Sequence, residues 1–326
     1  MLAKHLDKKI HEDQVELAHT RDGYGQGLLE AGRDDSRIVA LCADLTESTR
    51  THYFAEEFPN RFFEIGIAEQ NMASVASGLA AMGKVPFIAS YAMFSPGRNW
   101  EQIRTTIAYN ESNVKIVGAH AGVSVGPDGA THQAIEDIAL MRVIPGMTVM
   151  APADIHEAQK MVRWAAEYIG PVYIRIGREK TPVVTSEESP FVPGKALEIY
   201  SPDDAKVALL STGTLLHNAI MAGKELTEAG ISTAVYHFGT IKPLDTETLA
   251  DIVTRFDQLV TIEEHQVAGG FGSAVCEYVC EHAPTKVTRM GVQDMFGQSG
   301  SQEDLLQHYD MDVASIIELV TQSYEI

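Results

Sequence analysis

Cysteine is scarce: Cys42, Cys276 and Cys280 are all there is in 326 residues. Three thiols make no disulfide framework, and Cys276 and Cys280, four apart in an expected helix, lack the CxxC spacing of zinc and redox sites. All three are expected to be buried and reduced, as in a cytoplasmic protein. Basic residues are also short, 25 Lys and Arg against 45 Asp and Glu, for a net charge of −20. That balance argues against nucleic acid or an anionic membrane as the main partner, because either wants a basic face. Phosphorylated small molecules need only a few local cations and stay open. No apolar run reaches the ~18 residues of a membrane span. The polar start MLAKHLDKKIHEDQ has no signal-peptide core, and no repeat recurs at solenoid periods.

What is present is a rhythm. Apolar, strand-like runs alternate with helix-like periods: 37–45, 62–67, 85–92, 114–122, 147–152 and 171–177, then 206–212, 231–239, 258–265 and 286–292. Between the fifth and sixth runs, Asp154 and Glu157 form a capping-box-like start, followed by an apolar stripe at Ala158, Met161, Val162, Ala165 and Ala166. The pattern predicts an α/β protein of two doubly wound domains, each with a mainly parallel sheet flanked by helices. The polar, Pro-containing stretch 181–196 is the best linker. The expected division is an extension over 1–19, a first domain over 20–180, a linker over 181–196 and a second domain over 197–326.

One stretch, FEIGIAEQNMASVASGLAAMG (63–83), sets a charged pair, Glu69-Gln70, among apolar residues. A buried carboxylate costs several kcal/mol, on the order of the penalties for unpaired buried charge, unless it is paired or protonated. Something should meet Glu69. In the helix that follows, Ala73, Ala76, Ser77, Ala80 and Ala81 share one face, open either to packing on the domain's own sheet or to a helix of another subunit.

Other candidates fall at strand ends, where parallel α/β sheets bind ligands. His120 ends one strand, the turn Gly126-Pro127-Asp128-Gly129 follows, and His132 is expected where the next helix begins. Two histidines and an aspartate could converge there. Their long, irregular spacing is unlike a metal motif, and taken singly the imidazoles could merely satisfy loop backbone. Tyr91, Phe94 and Trp100 could wall a flat heterocycle. Arg21, Arg175 and Arg178 could hold a phosphate bidentately, or lie solvated at the surface. GGFGSA (269–274) fails the GxGxxG pattern, having Val275 where the last glycine belongs, and reads as a tight start to a helix.

CADLTEST (42–49), FFEIGIAEQNM (62–72), DGATHQAIEDIALMRVIPGMTV (128–149) and VTIEEHQVAGGFGSAV (260–275) together resemble the transketolase family. The likeness runs from about Thr20 onward and matches that family's pyrimidine-binding domain followed by its C-terminal domain. Full-length transketolases begin with another domain that binds the diphosphate of thiamine diphosphate through a divalent metal, using a GDG motif. The two Asp-Gly pairs here, Asp22-Gly23 and Asp128-Gly129, lack that context. The resemblance therefore implies the C-terminal section of a split transketolase, inactive without a partner chain that carries the diphosphate site and its Mg2+ or Ca2+. It implies an α2β2 heterotetramer acting on sugar phosphates in carbohydrate metabolism of the pentose phosphate kind.

The resemblance also assigns residues. Glu69 matches the glutamate that hydrogen-bonds N1′ of the aminopyrimidine, favouring the tautomer whose exocyclic nitrogen deprotonates the thiazolium ring. Tyr91 and Phe94 match the aromatic walls of the pyrimidine, and Asp44 and Leu45 the cofactor-adjacent DL motif. His120 and His132 match histidines on substrate hydroxyls or the reacting oxygen, and Asp128 an aspartate tied to donor stereochemistry. Arg21, Ser48 and Arg178, with Arg175 as a fourth member, match a substrate phosphate clamp. No metal ligand is expected in this chain. Two departures bear on substrate: Ala121 stands where the family has Asp, and Gly97 where it has a third aromatic, unless Trp100 substitutes. Rival readings are a subunit resembling 1-deoxyxylulose-5-phosphate synthase, one resembling a 2-oxoacid dehydrogenase β subunit, and a noncatalytic regulatory partner. Glu263, Glu264 and His265 are expected to be interface or sheet-edge groups.

Overall fold

Each apolar run above contains a strand; the interior ones, such as Ile38–Cys42, Lys115–Ala119 and Val207–Ser211, are buried throughout, as parallel strands between helical layers must be, while Phe62–Glu64 and Lys286–Val292 lie at sheet edges and are partly exposed. The computed structural model describes residues 5–7, 9–10 and 15–324, so the expected extension 1–19 lies partly outside the described residues. A seven-stranded sheet runs in the order Thr240–Lys242, Thr148–Met150, Val172–Arg175, Lys115–Ala119, Val85–Tyr91, Ile38–Cys42 and Phe62–Glu64. It is parallel except for its first strand. A five-stranded sheet follows the order Lys286–Val292, Gln258–Gln266, Val207–Ser211, Thr233–His237 and Leu197–Tyr200, the last antiparallel.

Helices cover both faces of the first sheet. On one side Thr20–Asp34 packs beside Ile155–Glu167, burying Tyr24, Leu28, Met161 and Val162. Two glycines permit that close crossing: a Cβ on Gly23 would lie 2.1 Å from the Ile155 carbonyl oxygen, and one on Gly27 would lie 2.9 Å from that of Gln159. The expected cap at Asp154 forms, its side chain accepting from Glu157 N. On the other side lies Glu69–Ala81. Met72, Ala73 and Ala76 are buried in the core and Ala80 packs against it, so this small-residue face serves the chain's own domain. The free side of that helix instead presents Ser74, Val75, Gly78 and Met82.

The two units are stitched together rather than strung on a linker. The strand Thr240–Lys242 belongs in sequence to the second unit yet pairs with Thr148–Met150 of the first sheet. One continuous core joins Ile138, Met141 and Tyr173 to Phe238, Leu249 and Phe271. The stretch expected as a linker is anchored, with Val184 N and Thr185 N both donating to Asp154 Oδ2 and Lys160 Nζ donating to the Ser189 carbonyl. Of the cysteines, Cys42 alone is fully buried; Cys280 is exposed, because it lies on the outer side of helix Phe271–His282. That helix starts at Gly269-Gly270, as expected, with Glu263 Oε2 and Oε1 accepting from the Phe271 and Gly272 amides. No helix is long and apolar enough to cross a membrane among the described residues.

Candidate active site

Glu69 occupies the first turn of its helix at the carboxyl ends of the parallel strands and is 1% exposed. Its Oε1 receives one long hydrogen bond, 3.4 Å from Ser90 Oγ. Its Oε2 receives none. Arg98 Nη1 approaches Oε2 to 3.6 Å from a half-exposed side chain, a Coulombic contact beyond hydrogen-bond range. The backbone around it is firmly held: Asn99 Nδ2 donates to the Glu69 carbonyl at 3.1 Å and to Ser95 Oγ at 3.2 Å. A buried carboxylate so short of donors is destabilising by about 1–3 kcal/mol, more if charged. The arrangement suits an incoming N–H.

Beside it stand the aromatic groups. Tyr91 stacks on His120 at 3.9 Å between centroids and 23°, and on Phe94 at 6.1 Å. His132 meets Phe94 edge-on at 5.5 Å. His132 is in a turn, several residues before the helix Asp137–Arg142, rather than at a helix start. Trp100 does not join this group: its Nε1 donates to the Leu140 carbonyl and its ring packs on the core. Gly97 is confined, since a Cβ there would lie 1.9 Å from the Met93 carbonyl oxygen. Neither position supplies a third ring to the cluster.

His120 turns the chain at the strand end with φ 54°, and its Nδ1 is buried without a partner. Burial, reinforced by Arg21, Arg178, Arg50 and His132, pushes its pKa down to about 3. It is a neutral imidazole at neutral pH, ringed by cations. Arg21 Nη1 donates to the Ser48 carbonyl at 3.0 Å, while its buried Nε has no acceptor. Burial, then Arg50, lowers the Arg21 pKa. Arg178 Nη1 donates to the Val125 carbonyl and to Glu179. The Arg178 backbone is tied to the start of helix Thr20–Asp34 through His19 Nδ1 and its own carbonyl at 2.9 Å. Arg21, Arg50 and Arg178 all act on that ring, Arg50 and Arg178 while paired with Asp22 and Glu179, and guanidiniums so placed can hold an anion.

Asp44 also sits in the left-handed region, φ 60°. Glu64 pins the Asp44-Leu45 corner, accepting from Asp44 N at 2.7 Å, Thr46 Oγ1 at 2.7 Å and Gly66 N at 2.9 Å. Asp128 is exposed at the end of the turn Val123–Asp128. Arg175 stands apart from the other arginines. It is buried, its Nε donating to Asp137 Oδ2 at 3.0 Å and its Nη2 to the Glu264 carbonyl at 2.7 Å, which leaves it a framework residue under the site. Glu263, Glu264 and His265 lie buried at the end of an interior strand, so they are not edge groups: Glu263 accepts from the helix start in its own unit, while Glu264 and His265 meet the Ser124 and Ala139 amides of the first unit.

Three residues here were not foreseen. Arg50, at φ 67° and paired with Asp22 at 2.6 Å, is the third cation, and its place two residues after Ser48 was the available signal. Arg98, four residues past Phe94, lies 5.3 Å over that ring. Glu64 ends the strand five residues before Glu69. Among the described residues no three His, Cys, Asp or Glu side chains converge to hold a metal. A cleft of about 640 Å³ on the second unit carries Glu225, Glu303, Asp312 and Glu318, the wrong sign for an anionic ligand.

Two family models match: the transketolase pyrimidine-binding domain over residues 17–183 and the transketolase C-terminal domain over 194–316. A transketolase C-terminal section of Methanocaldococcus jannaschii is 44% identical over 93% of this chain and 95% of its own length. A 6-deoxy-6-sulfo-D-fructose transketolase subunit of Clostridium sp. strain MSTE9 is 37% identical over 94% of each chain. A solved structure described as a split gene transketolase, inactive beta4 tetramer, superposes with a TM-score of 0.86 at 42% identity, covering 93% of this chain and 97% of that one.

Proposed function

The chain belongs to the transketolase family, as the C-terminal section of a split enzyme, and on that premise we propose that it supplies the pyrimidine and substrate side of a ketol-transfer site. The family implies thiamine diphosphate. The observation that carries the proposal is the orphaned, buried Oε2 of Glu69 beside an aromatic wall. That carboxylate fits a donor brought in by a ligand, such as a protonated ring nitrogen.

When bound, the cofactor supplies the nucleophilic carbon and electron sink that carry a two-carbon unit from a ketose to an aldose. The chain's own residues do the rest. Glu69 holds the proton at the pyrimidine nitrogen, in a place from which water is excluded. Tyr91 and Phe94 hold the flat ring, and the Asp44-Leu45 corner lies against the cofactor. Neutral His120, with its free Nδ1, and His132 hydrogen-bond substrate hydroxyls or the reacting oxygen. Asp128 reads donor stereochemistry. Arg21, Arg50 and Arg178, with Ser48, hold the anionic end of the sugar; Arg175 is left out of this clamp because Asp137 and Glu264 already occupy its donors.

The partner chain carries the diphosphate and its Mg2+ or Ca2+, in an α2β2 assembly in the cytoplasm. Exposed Ile67, Val75 and Met82 around the Glu69 helix support an apolar contact there. The inactive β4 state of the 42%-identical structure supports the need for a partner. The domain limits proposed are 20–180 and 197–326, with 181–196 between. The anion is read as phosphate, though the Clostridium relative is named for a sulfonated ketose.

The test is to mix this chain with a diphosphate-binding transketolase section and thiamine diphosphate. Ketol transfer from a ketopentose 5-phosphate to an aldopentose 5-phosphate is expected from the mixture and from neither chain alone. Preference for 6-deoxy-6-sulfofructose would change the substrate reading. Turnover of pyruvate instead would replace the reaction.

A further inference from the structure

The second unit carries no residue of the proposed site, yet it grips the segment between His120 and His132 from two directions. Glu264, 4% exposed at the end of strand Gln258–Gln266, reaches across to the first unit. Its Oε1 accepts from Ser124 N at 2.6 Å, and its Oε2 accepts from Thr214 Oγ1 at 3.3 Å. The segment is moulded to that carboxylate. Gly122, at φ 87°, lies so close that a Cβ would sit 2.2 Å from Glu264 Oε1. The second grip is the stretch 297–300. Gln133 Nε2 donates to the Gln298 carbonyl at 2.9 Å and to the Val123 carbonyl at 2.9 Å, so the residue just past His132 is tied both to the start of the turn and to the second unit. Gly126 and Gly129, both at positive φ, back onto Gly300 and Ser299.

We infer that Glu264 is a positioning residue for substrate, and that the second unit acts in the reaction by fixing the segment bearing Asp128 and His132. The inference rests on the proposed function for which residues touch substrate. It does not rest on it for the grip itself. An apolar contact would have sufficed for domain packing. A buried carboxylate aimed at a single loop amide fixes one conformation, since a buried amide without its acceptor is costly. Glu69 and Tyr91, by contrast, are held by Ser90, Asn99 and the first sheet, so the cofactor side has supports of its own besides the ring contacts of Tyr91 with His120 and of Phe94 with His132.

Two variants separate positioning from general stability. Glu264→Met keeps length and loses the acceptor; Glu264→Gln keeps an acceptor for Ser124 N. In hydrogen exchange on the free chain, Glu264→Met should speed exchange of amides 122–133 by about tenfold or more while leaving both sheets protected. In the reconstituted pair it should raise the KM for the ketose phosphate by about tenfold, as small misplacements of binding groups do. Half-saturation by thiamine diphosphate should stay within about twofold, and Glu264→Gln should recover most of the loss. Unchanged loop exchange overturns the inference even if the wild-type pair proves inactive, in which case it is the proposed function that has failed. A cofactor half-saturation that shifts as far as KM also overturns it. If Glu264→Met does not fold, Gln133→Leu, which removes the second grip, must show the same split, and equal KM for mutant and wild type overturns the inference.

Discussion

Replacing Glu69 by Gln should separate activity from stability. In the folded chain the carboxylate gains one 3.4 Å bond from Ser90 and a 3.6 Å contact from a half-exposed guanidinium, and Oε2 has no hydrogen bond. A long bond is worth at most about 1 kcal/mol, and the ion pair to Arg98 is discounted further by solvent. Against this stands the desolvation of a buried charge, which an amide does not incur. Stability should therefore change by no more than about 1 kcal/mol, or rise, shifting Tm by about 2–4 °C at most for a chain of this size. Turnover should fall by about 10²–10⁴, the usual contribution of a positioned acid or base. The assays are thermal melting of the free chain and kcat of the reconstituted pair. The reasoning is refuted if kcat stays within about threefold of wild type, or if the melt drops by more than about 8 °C.

Arg175→Met should cost about 3–5 kcal/mol in denaturant unfolding, because it strands the buried Asp137 carboxylate. Arg178→Met should leave the melt nearly unchanged and raise the KM for a ketose phosphate about tenfold, while the KM for the uncharged ketose moves little. His120, held to a pKa of about 3 by burial and neighbouring cations, should show no ring titration by NMR between pH 5 and 8. Its folded pKa lies below its unfolded value, so the unfolded chain binds the extra proton and stability falls as pH drops from about 6.5 toward 3. His120→Gln should flatten that acid limb in urea titrations, and a limb of equal slope would count against a buried neutral ring.

Much of the fold was legible because parallel strands in this protein are runs of β-branched and apolar residues, bounded by glycine and polar turns. The strand Thr240–Lys242 was not, since three residues before a proline carry no period and its pairing depends on Met150, far away in sequence. The separate domains expected from the 181–196 stretch hid the stitching for the same reason. Local pattern singled out Tyr91, Phe94, His120 and His132, whose rings pack on one another at or just beyond strand ends, and Glu69, which Arg98 joins to the Phe94 ring. It could not rank the arginines. Arg175 and Arg178 are three residues apart in one run, and only the distant Asp137 decides that the first is framework. The small-residue helix face was legible as close packing, but which body it packs against depends on the core beneath. Arg50 escaped because its approach to His120 comes from a left-handed backbone turn, which a non-glycine residue does not advertise.

The most direct measurement is the exchange of the thiamine diphosphate C2 proton with solvent deuterium in the reconstituted pair, for wild type and Glu69→Gln. The account predicts exchange strongly accelerated over free cofactor in wild type and slowed by about 10² or more in the variant. Equal rates in the two would contradict it.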